Sequence, residues 1–136
     1  AALPAKVRIK TARKSADWLK VLEHGEELLA RYPWDVGTHL DMAEAAQRLG
    51  LMNLAVWLLE QVWDKDTRVP ALNRALAQLY EKRGNYARAA TLLHLELKAD
   101  PNNMDVANQL RNIAARETIS RGQYEKAVRE SEEQLE

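Results

Sequence analysis

Residues 70–103 read PALNRALAQLYEKRGNYARAATLLHLELKADPNN. Leu72, Leu76, Ala77, Leu79 and Tyr80 recur at helical spacing, and so do Tyr86, Ala89, Leu92, Leu93 and Leu97. Gly84 falls between the two sets, at the position where a left-handed residue closes a helix without a Cβ penalty. Pro101 follows the second set. The stretch therefore predicts two helices joined by a tight turn.

Sliding the chain by 34 residues superimposes this unit on the one before it. Gly50 lands on Gly84, Ala43 on Ala77, Ala55 on Ala89, Leu58 on Leu92, Leu59 on Leu93 and Asp66 on Asp100. Met42 with Leu76, Arg48 with Lys82, and Gln47 with Glu81 are conservative pairs, and Pro33 and Pro101 lie two periods apart. A fixed period of this length marks a repeat architecture. In the last unit Val106, Leu110, Ile113, Gly122, Tyr124 and Ala127 keep the pattern, although Gly122 comes four residues late and Arg111 replaces a small residue. Helices are expected near 7–14, 16–31, 36–49, 52–64, 70–83, 86–98, 103–120 and 123–135.

On Leu76-Ala77, Tyr80, Gly84-Asn85-Tyr86, Ala89 and the run Lys98 to Asn103, the chain resembles the tetratricopeptide repeat family. The resemblance covers residues 15–136. It divides them into a partial repeat at 15–35 and repeats at 36–69, 70–103 and 104–136, preceded by a basic arm or partial helix at 1–14. It departs from the family at Thr67, where proline is usual, at Glu96, where a small residue is usual, and at His39, Asn73 and Ala107, where the family places tryptophan. The implied fold is all-α: a right-handed superhelical array of antiparallel helix-turn-helix repeats, each burying its apolar face against its neighbours.

The resemblance also implies a function. Family members bind a peptide or protein segment on the concave face lined by the first helix of each repeat. The expected partner-binding residues are Leu40, Glu44 and Gln47, then Arg74, Gln78 and Glu81, then Asn108 and Asn112, with Arg116 on a basic rim beside Lys82 and Arg48. Asparagine and glutamine both donate and accept, which suits a peptide backbone. Chaperone-tail clamps of the family use paired lysine and asparagine. Leu40 and Glu44 stand where they would be needed in the first complete repeat, so that ligand is not expected. Trp57 lies off the Ala55-Leu58-Leu59-Val62 stripe and is expected as an exposed interface anchor, whereas Trp18 and Trp63 are expected in the core and Trp34 at an inter-repeat turn.

Composition narrows the alternatives. The formal net charge is +0, which gives no bias toward nucleic acid or an anionic surface. Cysteine is absent, which removes thiol catalysis and thiolate metal sites. His24, His39 and His94 lie on separate helices with no ligand spacing among them, and there is no nucleophile elbow or glycine-rich phosphate loop. No enzyme activity, cofactor or metal is expected. No run of about 18 apolar residues and no secretory core appear, so no membrane span is expected and a cytoplasmic location is favoured.

Two further expectations concern the ends. Lys6, Arg8, Lys10, Arg13 and Lys14 precede any acid, while Glu125, Glu130, Glu132, Glu133 and Glu136 crowd the other end. End-to-end self-association is the second function expected, as a structural module of a larger protein, and nucleic-acid contact by the basic arm is a remote third. The chain begins at Ala1 and ends in Leu135-Glu136, a pair that cloning junctions often leave, so a longer natural polypeptide is expected.

Overall fold

The computed structural model describes residues 4–135; Ala1 to Leu3 of the expected arm and Glu136 of the acidic end lie outside the described residues. Seven helices follow one another: α1 (Ala5–Lys14), α2 (Trp18–Arg31), α3 (Val36–Arg48), α4 (Met52–Trp63), α5 (Pro70–Lys82), α6 (Tyr86–Ala99) and α7 (Met104–Leu135). There is no strand among the described residues. The residues form two compact units, Ala1–Leu76 and Ala77–Glu136, with α5 beginning in the first and ending in the second.

Short polar residues start most of these helices. The carboxylate of Asp35 accepts from the Thr38 backbone N–H at 3.0 Å and from its hydroxyl at 2.5 Å. Asp17 accepts from the Lys20 N–H at 3.3 Å, and Asn85 and Asn103 each accept from the backbone N–H three residues on at 3.2 Å. Each satisfies one of the donors that a helix start leaves without a partner. Pro70 opens α5, where its missing N–H costs nothing.

The turns inside each helix pair share one geometry. Gly50 and Gly84 have φ of +78° and +79°. The next residue donates back across the helix end, Leu51 N–H to Ala46 at 2.7 Å and Asn85 N–H to Tyr80 at 2.8 Å. The same bond joins Asp17 N–H to the Ala12 carbonyl at 2.9 Å, and the left-handed residue there is Ala16, at φ 54°. Ala16 lies one period before Gly50 and two before Gly84. The first pair, α1 and α2, is therefore a helix-turn-helix in register with the others, and the helix expected near 7–14 as an arm or partial helix is its first member. An alanine at positive φ pays a steric cost of about 1 kcal/mol. Ala16→Gly should accordingly raise stability by about 0.5–1 kcal/mol, read as an increase in urea midpoint with an unchanged slope.

In the first unit each helix packs on the next, α1 on α2, α2 on α3 and α3 on α4, and α1 also reaches α3. Ile9, Ala12, Val21, Leu28 and Ala45 form a buried cluster, with Ala5, Trp18 and Leu22 against it. Gly25 is buried in α2, and a Cβ there would strike Met42 of α3, 2.5 Å from its Cγ. One period on, the same position is filled by Leu59, so Met42 occupies the space that a leucine would otherwise take.

Two of the residues standing where the family has tryptophan are buried polar groups with partners. His39 Nδ1 lies 2.8 Å from the Asp35 carbonyl. Asn73 accepts from Trp63 Nε1 at 2.7 Å and donates from Nδ2 to the Thr67 carbonyl at 3.0 Å. The Asn73 amide thus fastens α5 to the end of α4 and to the turn that lacks the usual proline.

The second unit packs α6 along α7, with Ala77, Leu79, Ala89, Leu92, Leu93, Val106 and Ile113 buried. The expected break at Gly122 does not occur, and α7 runs unbroken from Met104 to Leu135. A mid-helix glycine costs only about 1 kcal/mol. Gly84 is followed by Asn85, whose side chain caps α6, but Gly122 is followed by Gln123, a poor cap. Arg111 also replaces the alanine that lets paired helices approach closely at 43 and 77.

Candidate partner-binding surfaces

In the first unit, Leu40, Glu44 and Gln47 fall on one side of α3 and are all half-buried. Gln47 has an interaction partner within the fold, as does Arg74 on α5. Glu44 is taken by a residue outside the expected set: Arg13 of α1 donates from Nε to its Oε1 at 2.9 Å and reaches Asp41 at 3.4 Å from Nη1. Hydrogen bonding to Glu44 holds the proton of Arg13 more firmly than usual, and burial pushes the Asp41 carboxyl up against the pull of Arg13. Arg13 and Asp41 were not legible as members of this surface. Nothing in the spacing of a basic arm says that its residue 13 meets α3.

The Asp35 carboxyl behind this surface is held below the usual carboxylate range, chiefly by the Thr38 hydroxyl, with Lys6 3.5 Å away. A lowered folded-state pKa means stability that is present above the ordinary carboxylate range and is lost as pH falls through the folded value. Asp35→Ala should therefore cost about 1 kcal/mol at neutral pH. Denaturation curves of the two proteins should converge as pH falls from the ordinary carboxylate range through the lowered folded value.

Trp57 lies on the outer side of α4, 57 % exposed, and not on the α3 stripe. Trp34 is exposed at the turn before α3, where the ammonium of Lys65 sits 4.2 Å from its ring centroid. Trp18 and Trp63, expected in the core, are half-buried, and Arg48 stacks over Trp18 at 5.5 Å.

The second unit brings the remaining candidates closest. Asn108, Asn112 and Arg116 follow one another at four-residue spacing on α7 and are all exposed. Arg116 Nη1 meets Glu81 Oε1 of α5 at 2.6 Å, so two candidate residues pair with each other across the two helices. Asn108 accepts from Arg111, and Gln78 is exposed one turn before Glu81 on α5. The result is an amide-rich strip on α7 beside a carboxylate–guanidinium pair. Among the described residues no three His, Asp or Glu side chains are grouped to hold a metal, and no helix is long and apolar enough to cross a membrane.

No family model and no curated protein matches the chain. Solved structures do. The first tetratricopeptide domain of Spaghetti (RPAP3), bound to the HSP90 peptide SRMEEVD, is 15 % identical; it matches 82 % of this chain and 88 % of its own, with a TM-score of 0.72. The TPR2B domain of yeast Sti1 in its pHsp70 complex is 19 % identical over 85 % of this chain and 94 % of its own, at 0.68. The Yersinia enterocolitica type III secretion chaperone SycD, in complex with a peptide of the translocator YopD, is 15 % identical over 85 % and 88 %, at 0.65. At these identities the likeness is one of fold.

Proposed function

We propose that this chain, an all-α helical repeat of the tetratricopeptide type, is a non-enzymatic module that binds a peptide or protein segment. The observation that carries the reading is the strip Asn108–Asn112–Arg116 on α7 beside Gln78 and Glu81 on α5. One side of the first half of α7 is committed to packing, since Val106 and Ile113 are buried, while the strip stays in solvent. Asparagine side chains can both donate to and accept from an extended backbone. Arg116 is exposed and can turn from the half-buried Glu81 to a ligand carboxylate. Two structures of the same fold hold peptides and a third is a complex with pHsp70. The α3 surface supports the reading less well, since Leu40, Glu44 and Gln47 are all half-buried whereas Asn108 and Asn112 are exposed.

The ligand class is a peptide with a hydrogen-bonding backbone and at least one acidic group. A displayed library of random peptides tests this. Peptides retained by the natural chain should lose affinity tenfold or more on Asn108→Ala/Asn112→Ala, with helical content unchanged, and should bind normally to Trp57→Ala. Undiminished binding by the double variant would place the ligand elsewhere, and a library yielding no peptide would remove the reading.

A further inference from the structure

α7 carries its packing face well past the point where it is covered. Val106, Leu110, Ile113 and Glu117 fall within a sector of about 60° at 3.6 residues per turn, and Tyr124, Val128 and Leu135 continue that sector. The first four are buried or half-buried, whereas every described residue from Thr118 onward is exposed, Tyr124 at 72 % and Leu135 at 88 %. A cleft of about 270 Å³ between Asn85 and Tyr86 of α6 and Glu117, Arg121 and Tyr124 of α7 marks where cover ends. One border of the open stripe carries Arg121, which pairs with Glu117, and beyond it Glu125 and Glu132; the other carries the uncharged Ser120, Ala127 and Gln134. Neither Glu125 nor Glu132 has an ion-pair partner among the described residues.

The complementary pattern occurs on α1 of the same chain. This helix has five basic residues and no acidic one. Arg8 is engaged by Glu27, Arg13 by Asp41 and Glu44, and Lys6 by Asp35. Lys10 and Lys14 have no ion pair among the described residues, and they flank Val7 and Thr11 on the outward side, opposite the buried Ile9 and Ala12. An apolar stripe with two carboxylates beside it and a helix face of valine beside Lys14 and Lys10, the latter also within the field of Asp41, match in sign and in element type.

We propose that the open stripe of α7 is the docking site for a second copy of this chain, which seats the outward face of its α1 there. Val7 packs on Tyr124 and Val128, and Lys10 and Lys14 face Glu125 and Glu132. The two surfaces differ, so the contact is heterologous and propagates head to tail. It uses neither the asparagine strip of α7 nor its partners on α5, so it stands or falls apart from the peptide-binding reading.

Sedimentation velocity of the full 136-residue chain tests it. The mean mass should rise with concentration in low salt and fall as salt is added, because screening contracts from about 30 Å at 0.01 M to about 3 Å at 1 M. Lys10→Glu/Lys14→Glu alone, and Glu125→Lys/Glu132→Lys alone, should each need at least tenfold higher concentration to associate. Mixing the two variants should restore association, because each then offers the surface the other fits. Tyr124→Ser/Val128→Ser should weaken association without altering charge. Circular dichroism should be the same for all. A natural chain that stays monomeric throughout, reversals that associate as the natural chain does, or a mixture that stays apart would each overturn the proposal.

Discussion

Gly25→Leu should destabilise the first unit by about 3 kcal/mol, the upper end of what overpacking a close helix contact costs. The Cβ alone would meet Met42, and the added branch increases the volume that must be accommodated there. Gly25→Ala should cost less, about 1 kcal/mol, since better helix propensity offsets part of the clash. The informative variant is Gly25→Leu/Met42→Ala. Met42→Ala alone should cost about 2–5 kcal/mol through the cavity it leaves. Leucine at 25 then fills that cavity from the α2 side, at the position where Leu59 stands one period later. The double variant should recover more than half of the summed losses, a coupling that urea denaturation reads directly. Strict additivity would mean that Gly25 and Met42 do not share one space.

Asn73→Ala should cost about 2–3 kcal/mol. It removes the acceptor for Trp63 Nε1 and the donor to the Thr67 carbonyl, and a buried group deprived of its partner loses about 1–3 kcal/mol. Asn73→Asp separates the two roles. It keeps an acceptor for Trp63 but turns an oxygen toward the Thr67 carbonyl and places a carboxyl at a buried position. Burial and the facing carbonyl raise that carboxyl's pKa, so the folded state holds its proton more tightly than the unfolded chain. Stability should then be near its best below the ordinary carboxylate range and decline as pH rises through the raised value. A pH-independent loss would show that Asn73 matters only for its volume.

The sequence announced much of this fold through its 34-residue period. The periodic positions 43, 55, 77 and 89 are buried alanines, and Gly50 and Gly84 take the left-handed turn expected of them. Where legibility failed, one residue type stood in for another. The break between α1 and α2 was expected near residue 15, but not that it repeats the turns at Gly50 and Gly84, because alanine occupies the position marked elsewhere by glycine. Gly122 misled in the opposite sense, since a glycine without a following cap residue or a close-packing partner is insufficient to end a helix. The missing family tryptophans could be seen, but not that Trp63 and Asn73 would replace a proline turn with hydrogen bonds.

The candidate surfaces were less legible than the fold. Spacing alone places Asn108, Asn112 and Arg116 on one side of a helix, and the structure keeps them exposed there. It cannot foresee that Glu81 and Arg116 neutralise each other or that Arg13 occupies Glu44, because those pairings join residues 35 and 31 positions apart. Charges on a predicted stripe look available until the helix that answers them has been placed.

Amide hydrogen exchange with and without a library-selected peptide tests the central claim most directly. A peptide lying on the proposed strip should slow exchange in Gln78 to Lys82 of α5 and in Asp105 to Arg116 of α7, leaving α4 around Trp57 and α7 beyond Thr118 at their unbound rates. Protection confined to α4 or to the end of α7, with none along the asparagine strip, would contradict it.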